Sequence, residues 1–110
     1  MLRRPMFERF SGNARQLMSG AKRAAERLAH QVVDTEHLLL GLLELPDASG
    51  VRLLRDLDVD VDTLRDSLAS LLPHGDAAPD LGSRPFSAEV RRALELACEE
   101  AAELGHRYVG

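Results

Sequence analysis

The chain has 110 residues, 45% of them hydrophobic and 29% charged, with a net charge of −4 and one cysteine. That length supports a single hydrophobic core. A lone cysteine, Cys98, excludes an internal disulfide and a cysteine-based zinc site; it reads as a small apolar helix residue in a reducing cytoplasm. No apolar run reaches the roughly 18 residues that span a bilayer, and the basic start of the chain has no apolar stretch behind it to make a signal peptide.

The charge is unevenly placed. Residues 1–31 carry a balance of +5 and residues 32–110 one of −9. The basic residues Arg15, Lys22, Arg23 and Arg27 alternate with apolar positions, so they read as the wet face of a helix and not as a nucleic-acid surface. Leu, Ala, Glu and Arg dominate, a mix that favours helices throughout.

Ser11 follows the apolar Phe10 as an N-cap, and Ala14, Leu17, Met18, Ala21, Ala25 and Leu28 recur at helical spacing, which predicts a first helix over about 12–29. Thr35 is expected to cap a short second helix, about 36–45, apolar on nearly every face and stopped by Pro46. Asp47 or Ser49 opens a third with Val51, Leu54 and Leu57. Asp60 caps a fourth with Val61, Leu64, Leu68 and Leu71. Residues 73–85, PHGDAAPDLGSRP, read as a linker. Ser87 caps a fifth helix running to about 105, with Val90, Leu94, Ala97, Ala101 and Leu104 on one face. Phe10, Leu17, Leu28, Leu39, Leu42, Leu54, Leu64 and Leu68 are expected to share one core. Phe10 and Phe86 read as hydrophobic staples before their caps.

Residues 10–34 and 86–110 align without gaps at an offset of 76. They share Phe10/Phe86, Ser11/Ser87, Arg15/Arg91, Ala21/Ala97, Ala25/Ala101, Leu28/Leu104, His30/His106 and Val33/Val109. Matches at cap and core positions, with a common Phe-Ser start and a common His-x-x-Val end, indicate an internal repeat.

VDTEHLLLGLL, residues 33–43, sets a carboxylate and an imidazole against an apolar run. A zincin-type site needs histidines four apart on one helix, whereas His30 and His37 are seven apart with a helix break between them. No metal or cofactor is therefore expected. Ser11, Ser87 and Cys98 sit at caps or on a core face, which does not suit a nucleophile. The enzymatic alternative that remains is a small metal-dependent hydrolase built on His30, Glu36 and His37.

Arg9-Phe10-Ser11, the Ala25–His30 segment, the block Thr35-Glu36-His37-Leu38-Leu39-Leu40-Gly41-Leu42 and the closing Leu104-Gly105-His106-x-Tyr108-Val109-Gly110 resemble the N-terminal repeat domain of Clp unfoldases, most of all the ClpC branch. The resemblance implies an all-α fold of four-helix repeats. Residues 1–6 would be a flexible extension, 7–72 the first repeat, 73–85 a linker and 86–110 the first helix of a second repeat. It implies a non-catalytic domain that receives substrate and adaptor proteins for an attached ATPase ring feeding a ClpP-type peptidase. The chain lacks Gly-x-x-x-x-Gly-Lys-[Ser/Thr], so it has no phosphate loop of its own for ATP.

The resemblance further implies a phosphoarginine site in which Glu36 grips the guanidinium and Ser11 helps to hold the phosphate. A second such site would use Ser87 and a glutamate this chain lacks. Met6 and Phe7 are expected to be exposed and to join a protein-binding surface. With no later helices of its own repeat to cover it, the apolar stripe of the fifth helix is expected to drive self-association or to pack back loosely on the first repeat. A free-standing module that competes with the full unfoldase for the same ligands is the alternative binding role.

Overall fold

The computed structural model describes residues 10–77 and 84–110. Five α-helices lie among them: α1 Gly12–Arg27, α2 Thr35–Leu43, α3 Ser49–Asp56, α4 Val61–Leu71 and α5 Ala88–Glu103. The all-α expectation holds. The expected extension 1–6, Met6, Phe7 and linker residues 78–83 fall outside the described residues.

Local chemistry explains most boundaries. Ser11 and Ser87 cap α1 and α5 by accepting the N–H groups of Ala14 and Val90, and Asp60 caps α4 by accepting that of Thr63. Thr35 is not a cap, because α2 starts one residue earlier than expected. Asp34 caps it, in a reciprocal box with His37 three residues on. Neither Asp47 nor Ser49 caps α3: its N-cap is Ala48, which makes no side-chain bond.

The repeat is a physical twofold. Phe10 pairs with Val109 in one parallel bridge and Val33 with Phe86 in another. Adding 76 to one pair produces the other with partners exchanged. The Ser11 N–H donates to Val109 O at 2.8 Å, and the Ser87 N–H to Val33 O at 2.9 Å. Phe10 and Phe86 thus bind the opposite half of the molecule, and Phe10 also packs with Ala14 and Met18 of its own helix. α1 and α5 also end alike, each with a left-handed residue, Ala29 at φ 55° and Gly105 at φ 72°, and a following histidine N–H bonded to Ala25 O or Ala101 O. Alanine is strained there where glycine is not. Ala29→Gly is therefore expected to be neutral or stabilising by up to about 1 kcal/mol, in contrast to the loss usual for glycine, which a denaturation midpoint would show.

The single leucine core divides into four packed groups. Phe10, Met18, Val90, Leu94, Ala101 and Val109 join α1 to α5, while Leu43, Ala48, Val51 and Val61 join α2, α3 and α4. Ala21, Ala25 and Val33 form a third group, and Ala24, Leu28 and Leu40 a fourth. Two expected core leucines are at the surface, Leu39 at 41% and Leu64 at 37% exposure. Small residues take their place because α1 and α2 cross closely: a β-carbon on Gly20 would meet the Cα of Gly41 at 3.1 Å. Side chains as large as leucine do not fit between backbones this near.

The α5 stripe is not left bare. Val90, Leu94 and Ala101 are buried against Phe10 and Met18, with Ala97 and Cys98 half-buried beside them, and only Leu104 of the expected face stays exposed. The described part of the linker is also tied down. The Gly75 and Ala77 N–H groups donate to Leu28 O and Ala29 O at 2.7 and 2.9 Å, strapping residues 73–77 over the end of α1.

Candidate ligand-binding site

The start of α2 meets the start of α5. The Asp34 carboxylate accepts the Thr35 N–H and the Ser87 hydroxyl, each at 2.8 Å, and these two bonds, the backbone one first, hold its pKa below the usual carboxylate value. The Ser87 oxygen in turn accepts the Val90 N–H at 3.1 Å. Glu36, half-buried in the first turn of α2, has no hydrogen-bond or ion-pair partner among the described residues. An unpaired carboxylate beside a helix start is a ready acceptor for a guanidinium.

The pairing of site residues differs from expectation. Ser87 is the serine that meets the start of α2. Ser11 instead donates its N–H to Val109 and stands close to Gly110, where a β-carbon would lie 3.9 Å from the Ser11 hydroxyl. Under the twofold Gly110 occupies the place of Asp34, so the α1 start faces a glycine where the α5 start faces a carboxylate. Sequence reasoning misses this because each repeat lends its helix start to the other, a crossover that no spacing within one repeat encodes.

His37, 1% exposed, and His30 meet despite the helix break between them. His30 Nδ1 lies 2.7 Å from His37 Nε2, and with Glu36 the ligand-type atoms all fall within 4.8 Å of one another. The hydrogen bonds decide what the cluster can do. The Asp34 N–H donates to His37 Nδ1 at 2.8 Å, and Pro73 O accepts from His30 Nε2 at 2.6 Å. A backbone N–H at one end and a carbonyl at the other fix the direction: Asp34 N–H to His37 Nδ1, His37 Nε2–H to His30 Nδ1, His30 Nε2–H to Pro73 O. A neutral imidazole has one lone pair. Both lone pairs are engaged, so neither ring has one to give a metal, and the geometry does not support the hydrolase alternative. Burial, ahead of the opposing pull of Glu36, lowers the pKa of His37 and keeps the ring neutral.

An open apolar groove of about 520 Å³ is walled by Phe10, Leu17, Leu38, Leu39, Leu42 and Val109 among others, and it reaches Ser11 and Gly110. It lies where α1, α2 and α5 converge, and it accounts for the exposure of Leu39. Sequence periodicity marks Leu17, Leu39 and Leu42 as core and gives no sign of a groove.

Residues 9–110 match the family described as the Clp repeat (R) N-terminal domain. The chain belongs to this Clp repeat family. A probable ATP-dependent Clp protease ATP-binding subunit of Chlamydia pneumoniae is 41% identical over 105 residues, covering 96% of the chain and 12% of that protein. The chloroplastic chaperone ClpC2 of rice is 34% identical, covering 97% and 12%. An uncharacterized protein of Mycobacterium tuberculosis is 38% identical, covering 94% of the chain and 40% of the relative. The chain thus spans only about an eighth of the Clp subunits it matches. The N-domain of ClpV from Vibrio cholerae superposes with a TM-score of 0.75 at 20% identity, covering 99% of this chain and 67% of that one. For the N-terminal domain of ClpD from Arabidopsis thaliana the values are 0.73, 24%, 98% and 73%. These likenesses establish the Clp N-domain fold. Among the described residues no helix is long and apolar enough to cross a membrane.

Proposed function

We propose that this Clp repeat chain is a non-catalytic recognition domain in the cytoplasm, receiving substrate and adaptor proteins for an ATPase ring that delivers them to a ClpP-type peptidase. The observation that carries this reading is the open apolar groove at the α1–α2–α5 junction. Unfolded segments expose aliphatic side chains, and seating one in such a groove is worth about 1.5–3 kcal/mol. Leu39→Glu alters an exposed wall position, so the fold should tolerate it. It is expected to abolish binding of a labelled unfolded polypeptide in fluorescence anisotropy, and unchanged binding would overturn the reading.

Glu36 adds a polar handle for phosphoarginine. Its carboxylate takes the guanidinium, and the phosphate turns towards a helix start. At Ser87, the serine that meets the start of α2, the Asp34 carboxylate opposes that phosphate. Glu36→Ala is expected to abolish binding of a phosphoarginine peptide in a calorimetric titration, with stability changed by at most about 1 kcal/mol. Asp34→Asn is expected to strengthen binding. Unchanged affinity in Glu36→Ala would remove phosphoarginine from the proposal and leave the groove untouched.

Self-association would rest on Leu96 of α5 together with Leu104 and Tyr108 just beyond it, which remain exposed. Sedimentation at several concentrations should show a mass that rises with concentration, and a strict monomer would refute it. A second reading, a module that competes with an unfoldase without being part of one, is favoured by the mycobacterial relative. The chain covers 40% of that protein against 12% of the Clp subunit, so the relative is roughly a third as long.

A further inference from the structure

We propose that the His30–His37 pair is an acid-operated latch, holding residues 73–77 on the first repeat while both rings are neutral and releasing them when the pair takes up a proton. The argument is the wiring of the relay. Its ends are a fixed donor, the Asp34 N–H, and a fixed acceptor, Pro73 O, so two neutral rings fill it completely. An added proton has only two nitrogens to land on. At His37 Nδ1 it meets the Asp34 N–H across 2.8 Å; at His30 Nδ1 it meets the His37 Nε2–H across 2.7 Å. Either places two donors head to head, so one link must open.

His30 is the ring that can leave. It is half-buried, whereas His37 is enclosed. When His30 turns to water the Pro73 carbonyl loses its donor, and with it goes the packing that seats the strap. Gly75 sits so close that a β-carbon there would lie 2.2 Å from Ala29 O and 2.9 Å from the His30 ring. The strap therefore depends on where that ring is.

The charged and titratable groups around the pair pull in different directions. From the start of α2 come its N-cap Asp34 and Glu36 in the first turn, which favour an imidazolium at His37. From the segment before α5 comes the buried Arg84, whose Nε donates to His30 O at 2.7 Å and whose charge opposes it; Glu26 of α1 lies 3.8 Å from Arg84. His74 and Asp76 belong to the strap itself. Because burial depresses the His37 pKa, the unfolded chain binds more protons below its ordinary value of 6.5. Stability from the relay is then fully present above pH 6.5 and is lost as the pH falls from there through the folded-state pKa.

Nitrogen-15 NMR of the whole chain at pH 7.5 should find both rings as Nε2–H tautomers; an Nδ1–H tautomer at either would overturn the relay. Amide exchange, corrected for its intrinsic pH dependence, should then be followed from pH 7.5 to 5. Protection of Gly75 and Ala77 is expected to fall on the order of tenfold relative to Ala24 and Ala25, the effect of one lost hydrogen bond. His30→Gln should remove the pH dependence and His74→Gln should keep it. A constant ratio in the native chain, or a pH dependence that vanishes in His74→Gln, refutes the latch. If His30→Gln does not fold, the tautomers and the native-chain exchange still decide.

Discussion

Gly41→Ala is expected to destabilise the fold by roughly 1–3 kcal/mol, although alanine is the better helix former by about 1 kcal/mol. The added β-carbon would lie 2.6 Å from Leu17 O and 2.8 Å from Ala21 N, both backbone atoms of α1. A flexible side chain could yield to it, but a helix backbone moves only as a whole, so α1 and α2 must separate. Separation loosens the alanine-lined contacts among Ala21, Ala24, Ala25 and Leu40 together. For a domain of this size each kcal/mol lowers the melting temperature by about 4–8 °C. Gly50→Ala is the matched control, because its β-carbon meets only the end of Leu42, at 3.8 Å. Equal melting temperatures for the two variants would show that α1 and α2 do not cross at Gly41.

Leu43→Ala is expected to cost about 2–5 kcal/mol, against well under 1 kcal/mol for Leu39→Ala. Leu43 is 3% exposed among Ala48, Val51 and Val61, the contacts that hold α3 and α4 to α2, while Leu39 is 41% exposed on the groove wall. Leu42 is half-buried and should fall between them. Urea denaturation of the three variants ranks the faces of α2 directly, and any other order would contradict this orientation.

The composition of α2 shows why its orientation is not legible in the sequence. TEHLLLGLL is apolar nearly all round, so no face stands out as the inner one. Periodicity works where polar residues mark the wet side, as in α1, and there it points to Met18, Ala21 and Ala25, which are buried. Expecting Leu39 and Leu64 at the centre failed for a related reason: a sequence lists side-chain volumes, whereas the distance between helix axes decides which volumes fit.

What the sequence by itself determined is local and repetitive: five helices, the serine caps of α1 and α5, and a repeat at offset 76 whose ends carry the Clp resemblance. These follow from short-range hydrogen bonding and side-chain pattern, which a linear string records in full. Only the tertiary structure decided that Phe10 and Phe86 pair across the twofold, that Ser87 and not Ser11 meets the start of α2, and that His30 and His37 share a hydrogen bond. Each of these joins residues through space after the chain has turned back on itself. Their chemistry depends on single donor and acceptor positions a few ångströms apart, and helix propensity and hydrophobic spacing carry no information at that scale.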